Sequence, residues 1–201
     1  KNVNLNIKKG SFFGLVGESG SGKTTLGRAI LAANHISSGQ VIFHDAQNDY
    51  DLANISKKDL KDYRKKAQLI FQDPYAALSP RMTVRDILAE PLEVMKITKT
   101  REEADERVRE IASKCRLNLE HLRRYPHAFS GGQRQRISIA RALVSNPQFI
   151  VADESVAALD VSIQADILNL LKALQKELNL TYLFISHDLS VVAHICDEVA
   201  V

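Results

Sequence analysis

Apolar and polar residues alternate at the start of the chain. Val3, Leu5 and Ile7 stand between Asn2, Asn4 and Asn6, the period-two pattern of a half-buried strand, and Lys8-Lys9-Gly10 supplies a turn after it. Phe12 to Val16 is apolar throughout and predicts a buried strand, with Phe12 and Phe13 in the core. Further strands are predicted at Val41 to Phe43, Ala67 to Phe71, Phe149 to Ala152 and Tyr182 to Ile185. Between the last two runs lies one long helical pattern. Its face is Ile163, Ile167, Leu170, Leu171, Leu174 and Leu178, and Asp160 is placed to cap its N-terminus. Strand, helix, strand implies a parallel sheet. From Val84 to Leu143 the pattern is helical without strands. It includes a predicted capping box, Thr100 to Glu103, ahead of a face made by Ala104, Val108, Ile111 and Cys115.

Composition narrows the classes. With 201 residues, 45% hydrophobic and 25% charged, the chain can bury a core in one large domain or two lobes. A net charge of +3 is too small to argue for nucleic acid, and Arg101 to Arg107 mixes signs as a solvated helix face does. Cys115 and Cys196 have no CxxC partner and read as small apolar residues, compatible with a reducing cytosol. No apolar stretch approaches the roughly 20 residues of a membrane helix. The first residue is Lys1 and the last, Val201, falls in a strand-like run, so the chain is expected to be truncated at both ends.

The densest chemistry is Gly17-Glu18-Ser19-Gly20-Ser21-Gly22-Lys23-Thr24, a full GxxxxGK[ST] run between a strand and the helix from Thr24 to Leu31. Its glycines let backbone N–H groups wrap phosphate oxygens, Lys23 adds a point charge, and Thr24 adds a hydroxyl suited to Mg²⁺. Asp153 and Glu154 end an apolar strand, and their roles divide. Asp153 would hold the metal through its water shell, and Glu154 would orient or deprotonate the attacking water. Ser130-Gly131-Gly132-Gln133 opens an amphipathic helix, Arg134 to Leu143, and forms a second anion cradle. One γ-phosphate does not need two cradles from one chain, which points to a partner's nucleotide. Gln72 and His187 follow the strands at Ala67 to Phe71 and Tyr182 to Ile185. That is the edge where open α/β sheets gather ligand loops.

Together these motifs resemble the nucleotide-binding domain of ATP-binding cassette (ABC) transporters across essentially all 201 residues. Walker A is Gly17 to Thr24, and Walker B is Phe149 to Asp153 followed by Glu154. The signature is Ser130 to Gln133, with Phe129 where many members have Leu. Gln72 resembles the Q-loop glutamine, Ala157-Ala158-Leu159-Asp160 the D-loop, and Ser186-His187-Asp188 the segment with the switch histidine. The resemblance implies an α/β P-loop NTPase fold with a mostly parallel core, an N-terminal antiparallel β part and a helical subdomain. It implies one domain over 1–201, with 75–143 as helical insert and signature helix.

The same resemblance implies ATP and Mg²⁺ as cofactors. Gly17, Glu18, Ser19, Gly20, Ser21, Gly22, Lys23, Thr24 and Thr25 would bind ATP from one subunit. Ser130, Gly131, Gly132, Gln133 and Asp160 would serve the site across a head-to-tail homo- or heterodimer. Thr24, Gln72 and Asp153 would hold the metal, and Glu154, His187 and Gln72 would be catalytic. Integral membrane permease subunits and, indirectly, an extracytoplasmic solute-binding protein are the implied partners, with no nucleic acid. The implied location is peripheral, at the cytoplasmic face of the cell membrane.

Phe71 to Met82, Tyr125 to Phe129 and Asp160 to Ala165 resemble the ATPases of bacterial oligopeptide and dipeptide importers. Nickel and other small-solute importers share that subfamily. A soluble ABC ATPase without transport, or a cassette whose site is silent, are the other readings. Three positions depart from the family. Ser155 stands where Pro is usual, Ala157 where Ser is usual in the D-loop, and Ala128 where Glu is usual before the signature. Losing the proline is expected to free the backbone after Glu154, with hydrolysis retained.

Overall fold

A computed structural model describes residues 3–46 and 48–201. In chain order it comprises β1 (Phe12–Val16), α1 (Lys23–Ile30), β2 (Ile42–His44), β3 (Asp49–Asp51), α2 (Lys57–Lys66), β4 (Ala67–Ile70) and α3 (Pro74–Ala77). There follow α4 (Val84–Val94), α5 (Arg101–Lys114), 3₁₀ turns at Leu119–His121 and Pro126–Ala128, and α6 (Gly131–Leu143). The chain continues through β5 (Phe149–Asp153), α7 (Val161–Leu178), β6 (Thr181–Ser186), α8 (Leu189–Ile195) and β7 (Glu198–Ala200).

Five strands form one sheet in the order β4-β5-β6-β1-β7, with every pairing parallel. The predicted strand–helix–strand unit is thus β5–α7–β6. Alternation within each strand sends side chains to two separate cores, as a sheet covered on both faces demands. Phe12, Ile150, Ala152, Tyr182 and Phe184 pack with the helices α4 to α8. Phe13, Leu15, Phe149, Val151, Leu183 and Ile185 pack with α1, α2 and the antiparallel β2–β3 pair. Tyr63 on α2 donates its hydroxyl to the carbonyl of Ile30 on α1 at 2.6 Å, tying these helices together.

At the amino edge of the sheet, Asp45 joins β2 to its neighbours. It pairs with Lys66 and accepts from Gln148 Nε2 at 2.9 Å. Those bonds, the lysine's first, hold the Asp45 carboxyl at about 2, well below the usual carboxylate range. The lock lies away from the edge where β1, β4, β5 and β6 release their loops.

The first predicted strand is corrected. Among the described residues 3–7 no strand forms, and Asn2 lies outside them. Leu5 and Ile7 still pack against the smaller core while Asn6 is exposed. Period-two burial is present there, but a ladder also needs a neighbouring strand edge. The lysine turn holds, with Ser11 N–H donating to Lys8 O at 3.1 Å. The Thr100 capping box is half formed. Thr100 Oγ1 accepts from Glu103 N at 3.2 Å, but the Glu103 carboxylate reaches past the cap to Lys99 N at 2.7 Å.

Candidate functional site

The loop after β1 turns through glycines with backbone that side chains disfavour. Gly20 has a φ of 82° and Gly22 a φ of 101°. Nothing lies within 4 Å of a Cβ added at either, so it is the dihedral and not the space that calls for glycine. Gly22 heads α1 without a side-chain cap, which leaves the first-turn N–H groups open to an anion. Lys23 is buried, and its Nζ donates to the carbonyls of Gly17 and Glu18, both at 2.7 Å. The charged end therefore lies inside the loop's own curve.

Parallel register brings the other groups to the same edge. Val16 pairs with Ser186, and Asp153 with Ile185, so the residues that follow β1, β5 and β6 emerge side by side. Thr24 Oγ1 donates to Asp153 Oδ1 at 3.1 Å. Burial raises the Asp153 carboxyl above its ordinary value and nearby Glu154 adds to this, against the lowering effect of the Thr24 bond. Asp153 also has Arg28 and Lys23 within electrostatic reach.

Glu154 is gripped at both carboxylate oxygens. Gln72 Nε2 donates to Oε2 at 2.8 Å, and His187 Nδ1 stands 3.3 Å from Oε1. Its backbone N–H donates to Ile185 O at 2.9 Å, and its own carbonyl accepts from Ala157 N at 3.0 Å. The residue has a φ of 46°, in the left-handed region that costs a non-glycine about 1 kcal/mol. Ser155 relieves Glu154 of the restriction a following proline imposes. The turn at Glu154 is held by the Gln72 bond and by its own backbone N–H and carbonyl, with His187 beside it. Ser155 itself is buried, and its Oγ has no hydrogen-bond partner among the described residues.

Asp188, the residue after His187, is fixed at the start of α8. Its Oδ1 accepts from Ser190 N at 2.9 Å and Val191 N at 3.4 Å as the cap of α8, and its N–H donates to Ser186 Oγ at 3.0 Å. The Ser190 bonds hold the Asp188 carboxyl below its usual range. Sequence reasoning missed this cap, although an Asp two residues before a Ser at a helix start is a capping signal.

The second cradle stands apart. Ser130 and Gln133 satisfy one another in a capping box. Ser130 Oγ accepts from Gln133 N at 3.4 Å, and Gln133 Oε1 accepts from Ser130 N at 3.0 Å. No hydrogen bond among the described residues joins Ser130–Gln133 to the loop at Gly17–Thr24 or to Glu154. A Cβ on Gly131 would lie 3.8 Å from Leu159 Cδ2, in ordinary contact, while one on Gly132 would come within 2.6 Å of Ile163 Cγ2. Asp160 takes the cap position of α7, but its exposed carboxylate accepts no first-turn N–H, which corrects the predicted side-chain cap. Water can satisfy those amides at an exposed end.

Because Ile163 Cγ2 sits at a branched carbon and cannot swing away, Gly132→Ala is expected to destabilise the fold by about 1–3 kcal/mol. Ile163→Leu in the same chain removes that methyl and should recover most of the loss in thermal unfolding. An unchanged midpoint for Gly132→Ala would contradict the packing described.

No helix among the described residues is long and apolar enough to cross a membrane. The ABC transporter family model matches residues 1–157. The oligopeptide transport ATP-binding protein OppF of Streptococcus mutans is 54% identical over 200 residues, covering 100% of this chain and 64% of that protein. The dipeptide transport ATP-binding protein DppF of Lactococcus lactis subsp. cremoris is 54% identical over 202 residues, with 100% and 64% covered. The chain thus spans 64% of the length of these curated relatives. Among solved structures, the dimeric bacterial ABC transporter cassette MJ0796 superposes with a TM-score of 0.84 at 32% identity, covering 99% of this chain and 84% of that one. Its post-hydrolysis dimer bound to ADP and Pi matches at 33% identity with the same TM-score of 0.84, and the same 99% and 84% are covered.

Proposed function

Because this chain belongs to the ABC transporter family, we propose that it is the ATP-binding and ATP-hydrolysing part of an ABC importer subunit that drives uptake of oligopeptides or dipeptides. One observation carries the chemistry. The loop that ends in Lys23 and Thr24, the Thr24–Asp153 pair and the Gln72–Glu154–His187 group all sit at the carboxyl edge of one parallel sheet. The cargo reading rests on relatives that are oligopeptide and dipeptide transport ATP-binding proteins.

Gly17 to Thr25 binds the triphosphate, with N–H groups at the start of α1 and the Lys23 charge on its oxygens. Thr24, Gln72 and Asp153 present hard oxygen donors, two of them already 3.1 Å apart. That set suits Mg²⁺, which keeps places for phosphate and water oxygens and would neutralise charge on the transferring phosphoryl group. Glu154 takes the proton of the attacking water, and His187 and Gln72 orient that carboxylate. Ser130 to Gln133, which share no hydrogen bond with this edge among the described residues, serve the nucleotide of a second subunit in a head-to-tail dimer. Asp160, left without a helix partner, joins the two sites. The unit is one cassette over 1–201 with 75–143 as its helical insert, held peripherally at the cytoplasmic face of the membrane by permease subunits.

Copurification of the full-length protein with its membrane subunits and solute-binding protein tests this reading. Peptides should stimulate ATP hydrolysis. Stimulation by nickel alone would reassign the cargo, and no hydrolysis in the assembled complex would overturn the enzymatic reading.

A further inference from the structure

Gln72 is followed directly by a segment lashed to the helix that begins after Ser130. α3 starts two residues after Gln72, and Asp73 caps it, with Oδ1 accepting from Tyr75 N at 2.7 Å. Two arginines of α6, seven residues and so two turns apart, lie on one face and hold α3. The Arg134 guanidinium carbon is 3.8 Å from the centroid of the Tyr75 ring. Arg141 Nη1 donates to Ala77 O at 3.0 Å, and its Nη2 donates to Glu90 Oε2 at 3.0 Å. Arg134 also faces the other way. Its Nε donates to Pro126 O at 2.9 Å, and its Nη2 reaches His127 O at 3.5 Å. One side chain thus touches the segment after Gln72 and the segment before Ser130. It is buried at 8% exposure, whereas Tyr75 is 65% exposed and contributes little to the core.

We propose that Arg134 is a positioning residue that fixes the Ser130–Gln133 cradle relative to Gln72, through the Tyr75 ring on one side and the carbonyls of Pro126 and His127 on the other. The group that holds Glu154 and the half-site offered to a partner's nucleotide then keep one relative position. Arginine suits the task because its planar guanidinium stacks on a ring while its N–H groups fork to carbonyls. Lysine offers a point charge and cannot do both. The kinetic consequence rests on the function proposed above. The positional link itself does not.

The test uses the full-length protein, nucleotide-free for hydrogen exchange and assembled with its partner subunits for turnover. Tyr75→Leu removes the ring but not the buried arginine, and Tyr75→Phe keeps the ring. Amide exchange across residues 125–133 should rise roughly two- to five-fold in Tyr75→Leu and stay unchanged in Tyr75→Phe, the range set by an exposed cation–π contact. Turnover should fall by a similar factor at saturating ATP with KM unmoved, because Gly17 to Thr25 is untouched. Tyr75→Leu should add nothing in an Arg134→Lys background. Unchanged exchange in Tyr75→Leu, or additive effects of the two substitutions, would overturn the proposal. If the wild-type complex lacks turnover, the function proposed above fails while the exchange result still decides the role of Arg134.

Discussion

Lys23→Ala is expected to weaken ATP binding by at least about 100-fold, the loss of two hydrogen bonds from a charged donor at roughly 1.5 kcal/mol each. The buried Nζ already sits inside the loop, on the Gly17 and Glu18 carbonyls at 2.7 Å. Phosphate oxygens that enter the curve exchange those neutral acceptors for anionic ones. Lys23→Arg should not rescue binding, because a planar fork cannot replace a compact ammonium in a closed loop. Titration with a fluorescent ATP analogue reads the result directly. Near-normal affinity in Lys23→Ala would mean that the loop is not the triphosphate site.

Glu154→Gln is expected to separate binding from chemistry. The amide keeps the size of the carboxylate and its contacts with Gln72 and His187, but cannot accept a proton from water. Hydrolysis should fall by about 10²–10⁴-fold, the range for loss of a positioned general base, with ATP affinity retained. ATP should then hold a persistent dimer, visible by sedimentation. The left-handed turn at Glu154, with a φ of 46°, gives this site a backbone of its own. A silent site would give little change in either hydrolysis or dimerisation.

Much of this arrangement was legible because its signals are local. Buried strands announce themselves as apolar runs, and β4, β5 and β6 begin or end within a residue of the runs at Ala67, Phe149 and Tyr182. The phosphate loop is contiguous, and a parallel sheet brings the residues after its strands to one edge whatever their separation in sequence. What failed depends on partners that no local pattern specifies. Val3, Leu5 and Ile7 carry a strand's periodicity but find no strand edge, and Asp160 has a cap's position without a cap's bond. The Glu154 turn and the Arg134–Tyr75 stack were illegible for the same reason. A positive φ at a glutamate has no compositional mark, and the stack joins residues that sequence spacing does not relate.

In the proposed dimer, a complete site joins Lys23 of one subunit to Ser130 of another. The most direct measurement compares ATP hydrolysis by two arrangements of the same pair of substitutions in the assembled dimer. In one, Lys23→Ala is in this chain and the signature serine of its partner is replaced by arginine. In the other, Lys23→Ala and Ser130→Arg are both in this chain. Sites shared between subunits leave one intact in the first arrangement and none in the second, so hydrolysis should persist in the first and vanish in the second. The reverse outcome, with activity surviving only when both substitutions share a chain, would contradict a shared site.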